Sequence, residues 1–352
     1  MAEVSNTGVN TGAKKHYAWL DIAKALGVLA TIVTHCFQSS VTSTLLTTVF
    51  FLLFFTAAGY TIKPVDSVKR LGKATWSDFT KMIVPSFFVF LLSGVYSWWT
   101  SSLRGEVPMW AHFVEKAKIF VGPDVPIMWF FIALFWAKLV YRILLTWFPR
   151  FRTIPILFLL ALCLRFSPEH RLPLMLDVVP MLLIFMDEGQ WMKWLEIFCE
   201  KNKGESWFIK YKWPVLVVSD LICAFIVYRW VFVRKYFTML SARDYTVKTV
   251  IMDLAFLWLI VQGIKLVQNL KIMGPLRLLG KHTLGFIYIH FLDAYWLVQL
   301  IAILMAKMGT ESPYVLFVIR FTVICILLAA CVYIQRFCKE KIALLRAKNK
   351  TK

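Results

Sequence analysis

Charge is scarce in this chain. Only 17% of its 352 residues are charged, while 59% are hydrophobic. That leaves too little polar surface to clothe a soluble globule and points to a membrane protein of many spans. Several chemistries are missing too. The seven cysteines, at 36, 163, 199, 223, 325, 331 and 338, form no CxxC pair and have no partnered histidine spacing. Most lie in apolar runs, where Cys behaves as a small hydrophobe, so neither a metal site nor a disulfide framework is expected. No GxSxG elbow is present to carry a serine nucleophile. The first residues lack the charged, apolar, small-residue layout of a cleaved signal peptide. No internal repeat is visible. Acidic residues are half as many as basic ones, 20 against 40, for a net charge of +20. With no separate basic fold to grip a duplex, nucleic acid is excluded as a partner, and the charge reads as cytoplasmic loops of a membrane protein.

What is present is a succession of apolar runs. A hydrocarbon core of about 30 Å needs roughly 20 apolar residues in a helix. Hydropathy predicts ten spans, at 18–37, 43–62, 79–100, 125–146, 153–166, 172–187, 213–233, 247–268, 282–305 and 313–335. The expected fold is therefore all-α, a polytopic membrane bundle of about ten transmembrane helices. Residues 1–16 read as a disordered polar tail, 17–337 as the membrane domain and 338–352 as a basic tail. Placing the N-terminus inside gives the inner segments 26 Lys and Arg and the outer loops 11, which predicts both termini in the cytoplasm. The segment 187–212 is expected to lie as an amphipathic helix on the inner surface.

The first span is the odd one. Lys24 and His35 are eleven residues apart, which at 100° per residue brings them within about 20° of each other on the helix, with a rise of about 16 Å. Asp21, Thr31 and Gln38 fall near the same stripe, on a helix otherwise made of Leu, Val, Ile and Ala. Such a stripe belongs in a bundle interior or a water-filled cavity. Lys24 would lie in the inner half, with Asp21 as its local partner, and His35 near the outer end. Lys24 can alternatively snorkel to the inner headgroups, and His35 can simply bond a neighbouring carbonyl.

The stretch LDIAKALGVLATIVTH resembles the first-helix signature of the acyltransferase-3 family of integral membrane acyltransferases, a basic residue, ten residues and then a histidine. Here the base is Lys24 followed by Ala25, where Arg and Gly are usual, so the bidentate fork of arginine is lost. VFFLLFFTAAGYTIK resembles the family's second-span segment, keeping Gly59 and Tyr60 with Ala58 where Ser is usual. FTKMIVPSF, with Lys81 and Pro85, resembles the start of its third span. IMWFFIALF, with Trp129, resembles the segment opening a later span. LGKHTLGFIYIHF resembles its late segment, with Gly280, Lys281, Thr283, Tyr288 and His290. Together these cover most of residues 17–335.

The resemblance implies transfer of an acyl group, commonly acetyl, from cytoplasmic acyl-CoA to a hydroxyl of a cell-surface glycan or its lipid-linked precursor, in a bacterial cytoplasmic membrane. That chemistry needs a base, donors for the oxyanion and cations for the CoA phosphates. His35 is the candidate base, since an imidazole titrates near working pH, with Lys24 and Asp21 beside it. Cys36 faces about 100° away, which argues against an acyl-enzyme. Candidate binding residues are Thr31, Tyr60, Arg70, Lys73, Lys81, Trp129, Lys281, Tyr288 and His290. The expected partners are acyl-CoA, the glycan acceptor and membrane lipids, with no metal. A transporter or exporter of a small anion or glycan would use the same polar stripe, and is the competing reading.

Overall fold

The computed structural model describes residues 17–37, 41–102, 114, 118, 129–166, 172–229, 246–292 and 297–350. Among them the chain is helical throughout, with no strand. In chain order the helices are α1 (Ala18–Cys36), α2 (Val41–Thr61), α3 (Val68–Asp78), a π-helical turn (Phe79–Ile83), α4 (Val84–Ser102), α5 (Trp129–Trp147) and α6 (Thr153–Phe166). They continue as α7 (Val179–Lys201), α8 (Ser206–Val227), α9 (Val247–Val267), α10 (Gly274–Lys281), α11 (Thr283–Leu292), α12 (Val298–Lys307) and α13 (Pro313–Lys350).

Among the described residues, five stretches are long and apolar enough to cross a membrane: Ala18–Cys36, Val68–Tyr96, Trp129–Trp147, Val247–Val267 and Pro313–Ile334. α2 and α6 carry shorter apolar runs, Phe50–Thr61 and Thr153–Cys163. The outward faces of α8 and α13 are themselves apolar: Leu221, Phe225, Val318 and Ile326 are each more than half exposed. In water such a surface would aggregate; in lipid it is the expected exterior. The chain is an all-helical integral membrane protein.

α1 is the centre. Most of its side chains are buried, including Trp19, Ile22, Val28 and Ile32, and it packs against α2, α9, α10, α11 and α13. Glycines set the closest approaches, as in lipid, where packing rather than water drives helices together. Gly27 faces the Phe54 ring and the Phe50 carbonyl of α2, Gly59 of α2 and Gly189 of α7 each abut the other helix's backbone, and Gly280 of α10 abuts Asp21. None of the four has room for a Cβ.

Two expectations change. The span 172–187 is not one helix: Pro173 opens a short 3₁₀ turn, Leu174 and Met175 take left-handed φ of 56° and 58°, and α7 begins only at Val179, with Pro180 in its first turn where a missing N–H costs nothing. The segment 187–212 is not a separate surface helix. Its first half continues α7 to Lys201, and its second begins α8 after a turn at 202–205. Of the span 282–305, α11 covers Thr283–Leu292 and α12 Val298–Lys307, with residues 293–296 outside the described residues. The basic segment from 338 continues α13 as helix to Lys350. The tail 1–16 lies outside the described residues.

Candidate functional site

The polar stripe of α1 forms. Lys24 Nζ pairs with Asp21 Oδ1 at 2.8 Å, with side chains 34% and 7% exposed. The Thr31 hydroxyl donates to the Gly27 carbonyl at 3.0 Å, so one of its lone pairs still faces away from the helix. Lys24 and Thr31 are half-buried and His35 is exposed, while the neighbours Ala23, Ala25, Ile32 and Cys36 are buried. Gln38 lies outside the described residues.

At the far end of the stripe three elements converge. The His35 ring stands 5.1 Å from the His290 ring of α11, the planes tilted by 43°. His290 is 2% exposed, so an accessible imidazole is backed by a buried one. Arg320 of α13, 5% exposed, donates from Nη1 to the main-chain carbonyl of His35 at 3.4 Å. A cation at a helix C-terminus complements the dipole there. Phe37, just past α1, meets Tyr314 at 5.0 Å between centroids and Phe317 at 6.5 Å, which pins the end of α1 to α13. Sequence reasoning passed over Arg320. Its signal was available: it is a single cation in the otherwise uncharged apolar run Pro313–Ile334.

Tyr288, two residues before His290 and so on the opposite side of α11, has a different task. Pro85 has no N–H to give to the carbonyl of Lys81 four residues back, and the chain there forms the π turn. The Tyr288 hydroxyl fills that gap, shared between the carbonyls of Lys81 at 3.0 Å and Met82 at 3.1 Å. Its ring stacks on Phe131 at 4.7 Å. Ser86 adds a bond from its hydroxyl to Met82 O at 2.5 Å. The Lys81 side chain itself is exposed. Trp129 stands 4.9 Å from Phe51 between centroids, and Thr283 bonds the Gly280 carbonyl at 2.6 Å.

The remaining sequence candidates do not join His35. Tyr60, at the other end of α2, donates to Glu196 of α7 and packs edge-on against Tyr17 and Trp19. Lys265 closes this cluster, 2.6 Å from Glu196 and 5.2 Å above the Trp19 ring. Arg70 pairs with Asp66 at 2.5 Å on the open surface; Lys73 and Lys281 are exposed. Arg152 is committed to Asp187 at 2.6 Å. Asp187 also accepts from Tyr141 at 2.8 Å, Thr153 at 2.7 Å and Trp191 at 3.1 Å. Asp78 binds both Lys138 and Arg142, and Asp220, whose partner the sequence did not identify, accepts from Trp258 at 2.8 Å. In the second half of α7, burial and then the neighbouring Lys63 hold the Lys193 ammonium below its ordinary pKa.

What the arrangement can do chemically is hold one open imidazole against a buried imidazole and a guanidinium, with a lysine about three helical turns along the polar stripe. Comparison with protein-family models, with curated proteins and with solved structures finds no match.

Proposed function

We propose that this protein is an integral membrane O-acyltransferase of the acyltransferase-3 type, moving an acyl group, acetyl in the first instance, from cytoplasmic acyl-CoA to a hydroxyl of a cell-surface glycan or its lipid-linked precursor. The observation that carries the reading is the His35–His290 pair. The two histidines lie 255 positions apart, in the two segments whose residues resemble that family's, and their rings are 5.1 Å apart. On this reading the chain crosses a bacterial cytoplasmic membrane about ten times with both termini inside.

In the reaction, His35 takes the proton of the acceptor hydroxyl as its oxygen attacks the thioester carbonyl. The C–S bond then breaks, and the CoA thiolate leaves with the proton returned from the imidazole. A positioned base of this kind typically contributes about 10²–10⁴ in rate. His290 behind it and Arg320 beside its carbonyl fix where the ring stands. Lys24, held by Asp21, offers a charge on the stripe between the cytoplasm and His35. The exposed cations Arg70, Lys73, Lys81 and Lys281 serve, on this reading, the donor's phosphates, while Tyr60, Trp129 and Tyr288 act by packing and hydrogen bonding rather than by contact with the reacting atoms.

The test uses purified protein and radiolabelled acetyl-CoA. Wild type releases CoA and labels a glycan acceptor, and His35→Ala abolishes both. Mass spectrometry of surface glycans from cells with and without the gene then identifies the acyl group. Transport of an anion or glycan that survives His35→Ala, with no CoA release by wild type, would establish the transporter reading instead.

A further inference from the structure

α5 is apolar enough to span a membrane, yet it carries two cations four residues apart. Lys138 is the middle residue of its 19, and Arg142 stands one turn further on the same face. Charge is expensive in such a helix and is kept for a ligand, an ion path or a partner. The partner here is a single carboxylate. Asp78, at the end of α3, bonds the Lys138 ammonium through Oδ1 and the Arg142 guanidinium through Oδ2, the latter at 2.9 Å. A third cation, Lys81 of the π turn, is near enough for its charge to act on Lys138. Among the described residues none of these three cations pairs with any other acid.

One negative charge therefore serves three positive ones, which leaves an excess of two. Arg142 offers a guest nothing: its side chain is 10% exposed and its Nη1 is sealed, so its work is to hold Asp78. The other two present surface. The Lys138 side chain is 21% exposed and Lys81 is open, where α5 packs on α3 and the π turn. Two like charges this close repel, and an anion bridging them removes the repulsion. A phosphate monoester carries about −1.5 to −2 at neutral pH, which matches the excess, and its oxygens accept from two ammonium groups at once. We propose that Lys138 and Lys81 form a seat for a dianionic phosphate group, with Asp78 and Arg142 as the frame that holds Lys138 in place. The seat shares Lys81 with the acyl-transfer reading but does not depend on it, since the phosphate can belong to a soluble ligand or to a lipid headgroup.

The experiment is equilibrium dialysis of the full-length protein in neutral detergent micelles with labelled pyrophosphate. The expected result is saturable binding that weakens as salt is raised. Lys138→Met weakens it about tenfold or more, the worth of one charged contact, and leaves Asp78 and Arg142 as a balanced pair, so the fold is kept. Asp78→Asn adds to the excess charge and tightens binding, which a merely structural role for these residues would not do. CoA and short-chain phosphatidic acid, added as competitors, separate the sources: displacement by CoA alone gives the seat to a soluble phosphate, displacement by phosphatidic acid alone gives it to a lipid headgroup, and either keeps the seat. No saturable binding of pyrophosphate, wild-type affinity in K138M, or binding by folded D78N no tighter than wild type overturns the proposal. If size exclusion finds K138M or D78N misfolded, Lys81→Met, at an exposed position, decides, and wild-type affinity in that variant overturns the proposal.

Discussion

The bond from Tyr288 to the π turn can be isolated by a double-mutant cycle. Tyr288→Phe keeps the ring and its 4.7 Å stack on Phe131 and removes only the hydroxyl. Met82 O retains the Ser86 hydroxyl, but Lys81 O loses its donor, because Pro85 cannot supply one. Leaving a carbonyl unsatisfied in apolar surroundings costs about 1–3 kcal/mol. Pro85→Ala restores an N–H at the position from which a regular helix would bond Lys81. In that background the same Tyr288→Phe change should cost well under about 1 kcal/mol, so that the two substitutions couple by 1 kcal/mol or more, roughly, as residues sharing a partner do. Reversible unfolding of the four proteins in mixed micelles with increasing SDS reads the cycle. Equal losses from Tyr288→Phe with and without Pro85 would refute the reasoning: the hydroxyl would then not be standing in for the missing amide.

Three further outcomes follow from the same contacts. Asp187→Ala strips the partner from Arg152 and three neutral donors at once and should destabilise by about 3–5 kcal/mol, with Arg152→Met recovering part of the loss in the double variant, as measured by unfolding in mixed micelles. Gly280→Ala should cost about 1–3 kcal/mol, since its methyl group meets the Asp21 backbone and the helices must part; Gly280→Leu should yield no monodisperse protein on size exclusion. Lys24→Met should change stability by less than about 1 kcal/mol, because its pair with Asp21 is a third exposed on the lysine side, yet should cut acyl-CoA turnover strongly; a Lys24→Met protein with wild-type turnover removes that residue from the mechanism.

The sequence made the helical class and the stripe on α1 legible because both depend on local regularities, apolar run length and a period of 3.6 residues. It also singled out His290, through likeness of a short segment and not through any period. Arg320 escaped because a lone cation in an apolar run gives no hint of which neighbour it will face; only the convergence of α1 and α13 puts it on the His35 carbonyl. The break at Leu174 escaped for a related reason. Hydropathy measures how greasy a window is and not whether its backbone turns, so a 3₁₀ turn after Pro173 reads the same as a helix. Apart from Trp191, four residues along α7 from Asp187, the partners of Asp187, Asp78 and Asp220 come from other segments of the chain, and no local spacing encodes them.

The length of α13 has a practical consequence. Its 38 residues make a rod of about 57 Å, while the apolar part, Pro313–Ile334, needs only some 33 Å of it at 1.5 Å per residue. Some four turns of stiff spiral therefore stand clear of the bilayer. A soluble reporter spliced on in phase with that spiral would move as one body with the membrane part, giving a particle otherwise hidden in its micelle a visible landmark for image alignment.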